Sequence, residues 1–256
     1  MKTFESVTRL GFAARGLMYG AIGWLALRSG RTEDPRGIIE YLASGIGAVL
    51  VAVMAVGFFS YGAWRLLEAW LDSERHGSDA KGIGVRLAYA GSGFIHFGFG
   101  IAAILAALHA RHSGGGGDAQ KTGAAMALAM PGGQWLVYLA AAVLAGVAIH
   151  QFRKAWNLKF MRHLDCSPAA HLWICWLGRA GYAARGALFL TMGWLLVRAG
   201  EAHSPGRAGG IDDALGALPR SAQLAVAAGV LLFGLFSLTE AGCRRVPAAR
   251  RKSTLR

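Results

Sequence analysis

The chain has 256 residues, of which 54% are hydrophobic and 16% charged, with a formal net charge of +13. Soluble domains carry about 25% charged residues, so this composition argues against a soluble globular domain or a disordered chain and for a membrane protein. The three cysteines (Cys166, Cys175 and Cys243) are odd in number, and the first two are too far apart for a zinc knuckle.

The first predicted element covers residues 10–28. It lies in the segment Arg9–Arg28, RLGFAARGLMYGAIGWLALR. Lys2 and Arg9 before an apolar run resemble a signal peptide, but Arg15 interrupts the run and no A-x-A site follows. The same segment also recurs far downstream, so the element is expected to be a retained helix. A polar loop with Glu33-Asp34-Pro35 follows, then a short amphipathic stretch, Gly37 to Leu42, read as an interfacial helical turn. The second element, 46–70, carries Gly57, Tyr61, Trp64, Arg65, Glu68 and Ala69. The third, 87–109, lies in a segment that starts at Arg86 and reads RLAYAGSGFIHFGFGIAAIL. Beyond the loop with the run Gly114 to Gly117 and Asp118 comes the fourth, 134–156, with Gly146, His150, Arg153 and Lys154, and Asn157 just after it. The fifth, 172–197, contains RAGYAARGALFLTMGWLLVR over Arg179–Arg198, identical to the first segment at 10 of 20 positions. Ser204-Pro205-Gly206 and a second amphipathic stretch, Gly210 to Leu215, lead to the sixth element, 221–241. Each block approaches or exceeds the roughly 20 residues that cross a bilayer core, and unpaired backbone cannot face lipid, so all six are expected to be helices.

Internal repetition sets the architecture. Odd and even elements alternate as three two-helix units, at about 9–72, 84–160 and 172–243, within one integral membrane domain spanning 1–256 that ends in a basic tail, 244–256. The even elements repeat as Gly57, Tyr61 and Glu68 against Gly229, Phe233 and Glu240, with Gly146, His150 and Asn157 in the middle copy. The R-x-G-[FY]-A-A-R-G…G-W segment and the even-helix G-x3-[YF]-x6-E-A pattern resemble a bacterial membrane family catalogued as domain of unknown function 1206. The middle copy departs, with Gly91-Ser92 where the outer copies have Ala14-Arg15 and Ala184-Arg185. The resemblance implies three tandem hairpins and bacterial membrane residence, and no activity. Three parallel hairpins imply an all-α protein of six transmembrane helices about a pseudo-threefold axis along the membrane normal.

Charge orients this arrangement. Of the 27 Lys and Arg residues, 16 fall in the N-terminus, the 71–86 and 153–179 loops and the tail, against 8 in the other three loops. By the positive-inside rule, both termini of this multi-pass inner-membrane protein are expected in the cytoplasm. The cysteines then lie near the cytoplasmic face and are expected to be reduced thiols. The tail residues Arg244, Arg245, Arg250, Arg251, Lys252 and Arg256 read as an anchor on anionic lipid. No aromatic interleaving or binding fold accompanies them, so nucleic acid is not an expected partner. The lipid bilayer is an expected partner, and the sequence names no protein partner.

Candidate site residues are those expensive to hold in a membrane. Arg15 and Arg185 stand at matching depth to Glu68 and Glu240, and the middle copy replaces them with Ser92 and Asn157. Loss of both charges together predicts an Arg15–Glu68 pair in the first hairpin and an Arg185–Glu240 pair in the third. His96 and His150 are candidate ligands for a haem, metal or proton relay, although they align with aromatic packing positions (Tyr19 and Phe189; Tyr61 and Phe233). No metal and no cofactor are otherwise expected. Gly16/Gly23, Gly93/Gly100 and Gly186/Gly193 are spaced by seven and read as close-packing faces. No phosphate loop, nucleophile elbow, HExxH motif or acidic catalytic pair occurs, so no catalytic residues are assigned. The expected role is a non-enzymatic membrane component. A small-solute or ion transporter using the axis between repeats is the alternative, and a haem or redox protein the third reading.

Overall fold

The computed structural model describes residues 2–29, 39, 48–72, 77–107, 116–166 and 171–243. These residues are helical throughout their length apart from short turns, with no strand among them. The long helices are α1 (Lys2–Ser29), α2 (Ala48–Leu71), α3 (Ala80–Ala107), α5 (Gly133–Asn157), α6 (His171–Glu201) and α8 (Arg220–Cys243). Two shorter ones, α4 (Gly116–Leu128) and α7 (Ile211–Gly216), lie between them. Ala and Leu dominate the long helices, and none of the six prolines falls inside one, as helix propensity requires.

Five of the long helices (α1, α3, α5, α6 and α8) are long and apolar enough to cross a membrane. The sixth expected span, α2, is 24 residues long but falls outside that group.

The packing follows one path. α3 lies on α2, α2 on α1, α1 on α8, α8 on α6, and α6 on α5. Glycines set the tightest of these contacts. A Cβ on Gly23 of α1 would stand 2.7 Å from the Ala227 carbonyl oxygen of α8, and one on Gly16 would stand 2.8 Å from Leu238. Gly93 and Gly100 of α3 likewise abut Leu66 and Phe59 of α2, while Gly186 and Gly193 of α6 abut Phe152 and Ala141 of α5. Each odd element of the sequence therefore lies against an even element of a different repeat.

Contacts within a repeat differ between copies. In the first hairpin a Cβ on Gly57 would stand 2.7 Å from the Ala14 Cβ, and in the third Gly229 meets Ala184 in the same way. The corresponding residues of the middle hairpin, Gly91 and Gly146, each have nothing within 4 Å of a Cβ position. Among the described residues, α3 and α5 are not packed against each other, and the path of helices is not closed at that edge.

Toward the ends of the helices remote from Arg9 and Cys243, the interior is apolar. Met18, Ile22, Ala26, Val51, Met54, Leu188, Ala214 and Leu215 belong to one buried cluster. Ala214 and Leu215 of α7 are fully buried, so the apolar face of this expected helical turn packs on the core. Ile39 is also fully buried. The rest of the matching stretch 37–42, the loop residues 31–36 and the basic tail lie outside the described residues.

α4 occupies a loop in which the sequence suggested no helix. Its Ala124 is buried with Ala199 and Ala208, and Lys121 meets Asp213 of α7 at 3.3 Å. At the opposite end, Leu158 adopts a left-handed conformation (φ 52°) that stops α5. The chain then turns through a 3-10 segment, Lys159–His163, to Cys166. There the Asp165 amide donates to the Cys243 carbonyl at 2.7 Å, and Cys166 and Cys243 form a disulfide with Cα atoms 5.2 Å apart. The expectation of three free thiols is thus corrected: only Cys175 is free. The turn after α5 brings together two cysteines that the sequence separates by 77 residues.

Candidate functional site

Arg15 lies at the centre of the end nearer Arg9. Its side chain is buried, and each nitrogen position that can donate has a partner. Nη2 binds the Glu240 carboxylate, Nη1 donates to the Tyr61 hydroxyl at 2.8 Å, and Nε donates to Ser237 Oγ at 3.2 Å. Phe12, Tyr61 and Phe233 surround the guanidinium with ring centroids at 4.7, 5.1 and 5.2 Å. A buried guanidinium is tolerated only when it is paired and hydrogen-bonded in this way.

This corrects the expected pairing. Arg15 pairs with Glu240 of the third repeat, not with Glu68 of its own. The cause is the glycine contact: Gly16 brings α1 onto α8, and the residue beside it then points at α8's carboxylate. By the same rule, the partner position for Glu68 on α3 is Ser92, and the partner position for Arg185 on α5 is Asn157. Arg185 accordingly does not pair with Glu240. Its guanidinium lies over Phe233, Tyr19 and Phe189 at 4.5, 5.2 and 5.4 Å, and its Nε is buried without a hydrogen bond. Glu68 is buried at the Arg9 end of α2.

Three further groups converge on the same interior. Arg65 donates from Nε and Nη2 to the Tyr61 hydroxyl at 3.1 and 2.9 Å and stacks on Trp64 and Tyr89. Lys154 of α5 lies over the Tyr182 ring at 5.5 Å. His96 of α3 is buried and stands 4.4 Å from the Tyr61 ring, centroid to centroid. The charges of Arg15, Arg65 and Arg185 all bear on His96, and those of Arg65, Arg185 and Glu240 on Lys154. Residues from all six long helices therefore form one basic layer lined with aromatic rings.

Arg65, Lys154 and Arg185 have no carboxylate partner among the described residues. All three are half-buried, and a ring face returns about 0.5–2 kcal/mol to a partly desolvated cation; Lys154 has a single ring. His96 adds an unsatisfied group. Its Nδ1 lies 2.7 Å from the Ser92 carbonyl oxygen, and a carbonyl only accepts, so Nδ1 carries the proton. Nε2 is buried without a partner and, in the neutral ring, is free to accept a hydrogen bond.

The two candidate histidine ligands are not brought together. His96 is interior on α3, while His150 is exposed on α5, and these helices do not pack together. No group of three or more His, Cys, Asp or Glu residues suited to a metal occurs among the described residues. Sequence reasoning passed over Tyr61, Arg65, Lys154 and Tyr182. Arg65 and Lys154 were legible as basic residues near helix ends, where snorkelling is the ordinary account. Tyr61 and Tyr182 read as packing aromatics.

The model of one family matches the chain three times, over residues 10–72, 87–157 and 180–244. A relative from Bacillus subtilis (strain 168), described as "Uncharacterized protein YxxB", is 30% identical over 243 residues, covering 90% of this chain and 87% of the relative. No solved structure matches. Three matches that follow the repeat boundaries, on helices that pack repeat against repeat, lead to one assignment: the chain belongs to the family described as Domain of Unknown Function (DUF1206).

Proposed function

We propose that this protein is a multi-pass protein of the bacterial inner membrane, with both termini in the cytoplasm, whose role is to hold an anion in its basic interior layer without chemical turnover. The Lys/Arg asymmetry supports the orientation, although it sets the Cys166–Cys243 disulfide at the cytoplasmic end, against the usual compartment for disulfides. The five apolar helices together with α2 support six spans. The packing path supports a pseudo-threefold plan, since each odd helix meets the even helix of another repeat, with one edge open. The observation that carries the reading is the convergence of Arg65, Lys154 and Arg185 without carboxylate partners. A bound anion supplies the missing counter-charge, and guanidinium groups suit phosphate or carboxylate geometry. The transporter alternative is weaker. The apolar layer through Met18, Ile22, Met54, Leu188 and Leu215 argues against an open axial path.

The test is thermal unfolding of the purified protein in an uncharged detergent, with phosphate or sulfate compared with chloride at matched ionic strength. A ligand at 100 times its Kd adds about 2.7 kcal/mol of stability, so a clear rise in Tm is expected. Lys154→Gln with Arg185→Gln should abolish the rise. An unfolding curve indifferent to the anion, or a rise that survives both substitutions, overturns the reading.

A further inference from the structure

Among the described residues, the path of helices leaves one edge unpacked, between α3 and α5. In the outer hairpins Ala14 closes on Gly57 and Ala184 on Gly229, while Gly91 and Gly146 at the matching positions face open space. The middle hairpin therefore retains small residues at its closing positions and yet stands apart. The two helices beside this gap each carry a polar group of the interior: Lys154 of α5, over the Tyr182 ring, and His96 of α3, against Phe58 and Tyr61 of α2. Arg185 lies on α6, against Phe233. Outside them, Leu87, Phe94 and Ile95 of α3 and Leu139, Val143 and Ile149 of α5 are exposed. An apolar approach that ends at cations and at an unsatisfied hydrogen-bond acceptor fits an amphiphile better than a free ion. The head group must carry negative charge for Lys154 and Arg185 and a hydroxyl for His96 Nε2.

Resting on the anion-binding reading above, we propose that the gap between α3 and α5 is a side doorway through which the head group of an anionic phospholipid bearing a free hydroxyl, with the chemistry of phosphatidylglycerol, reaches Lys154 and Arg185. The acyl chains stay outside along the exposed faces of α3 and α5. The phosphate lies against the two cations, and a head-group hydroxyl donates to His96.

Native mass spectrometry of the full chain, released from nanodiscs of phosphatidylcholine doped with phosphatidylglycerol, counts the lipids retained. The wild type should retain one phosphatidylglycerol per chain. Lys154→Gln with Arg185→Gln should lower that retention by about ten-fold or more, the equivalent of 1.4 kcal/mol. Gly91→Leu with Gly146→Leu fills the doorway where no atom lies within 4 Å of either Cβ position, and should lower lipid retention to the same degree while leaving the phosphate-dependent rise in Tm in place. A reversible plug guards against misfolding. In a cysteine-free background, Gly146→Cys carrying a bulky mixed disulfide should lose the lipid and regain it on reduction.

Retention of phosphatidylglycerol no better than phosphatidylcholine, with the phosphate effect intact, refutes the lipid doorway and leaves the anion site standing. Equal retention in wild type and both double variants marks the lipid as a surface lipid and refutes the doorway as well. Loss of both lipid and phosphate effects in the wild type overturns both readings.

Discussion

Arg15 donates to a carboxylate, a phenol and a serine contributed by α2 and α8, so its substitution is felt in two helices at once. Removing one member of a buried ion pair costs about 3–5 kcal/mol, because the survivor remains buried without a counter-charge. Glu240→Gln should therefore reduce thermal stability more than Arg15→Gln combined with Glu240→Gln, as measured by unfolding in detergent. A double variant as unstable as the worse single variant would show that the pair contributes no electrostatic coupling. The choice of these four charged residues was legible in the sequence, but the pairing was not. Joint absence of Arg and Glu from the middle copy is what pairing within repeats predicts. Pairing between repeats instead sets Glu68 opposite Ser92 and Arg185 opposite Asn157, so the sequence pattern pointed to the wrong partners. The side on which Gly16 packs decides between the two, and a spacing of seven residues does not say which helix the face meets.

At the scale of elements, glycine position decides how closely two helices approach. Gly23 lies against α8 backbone, which has no side chain to swing aside, whereas Gly20 on the same helix has nothing within 4 Å of a Cβ position. Gly23→Ala should overpack the α1–α8 contact at a cost of about 1–3 kcal/mol. Gly20→Ala should be neutral or stabilising by up to about 1 kcal/mol through helix propensity. Folded yield and Tm of the two variants check this, and equal behaviour would remove the basis for close packing at Gly23. The apolar blocks were legible because hydrocarbon-length runs stand out against a polar loop background. α4 was not: the Gly114–Gly117 run and Asp118 that open its segment carry turn chemistry, and its helix is held by contacts with α6 and α7 that no local pattern contains.

For the molecule as a whole, orientation is the first property to establish. Single cysteines at positions near 31–36, 114–118 and 204–209 of a cysteine-free variant should react with an impermeant maleimide in whole cells, and a cysteine at position 250 should not. Labelling of position 250 alone would invert the topology and place the Cys166–Cys243 pair in an oxidising compartment. The number of repeats and their alternation could be read from the sequence because repetition is a property of the linear string. The open edge between α3 and α5 could not. Gly91 and Gly146 are as well suited to close contact as their counterparts, and whether two compatible faces meet depends on every other contact in the path of helices.

The Arg15–Glu240 contact also has a dimension in time. Its partners are 225 residues apart, and synthesis at about 5–20 residues per second separates their appearance by roughly ten to forty-five seconds. Tyr61 follows Arg15 by only 46 residues, so its neutral hydroxyl is synthesised long before the carboxylate. The last long helix then delivers the carboxylate that neutralises the first. A nascent chain that stops before α8 lacks the carboxylate that neutralises this charge in the completed protein.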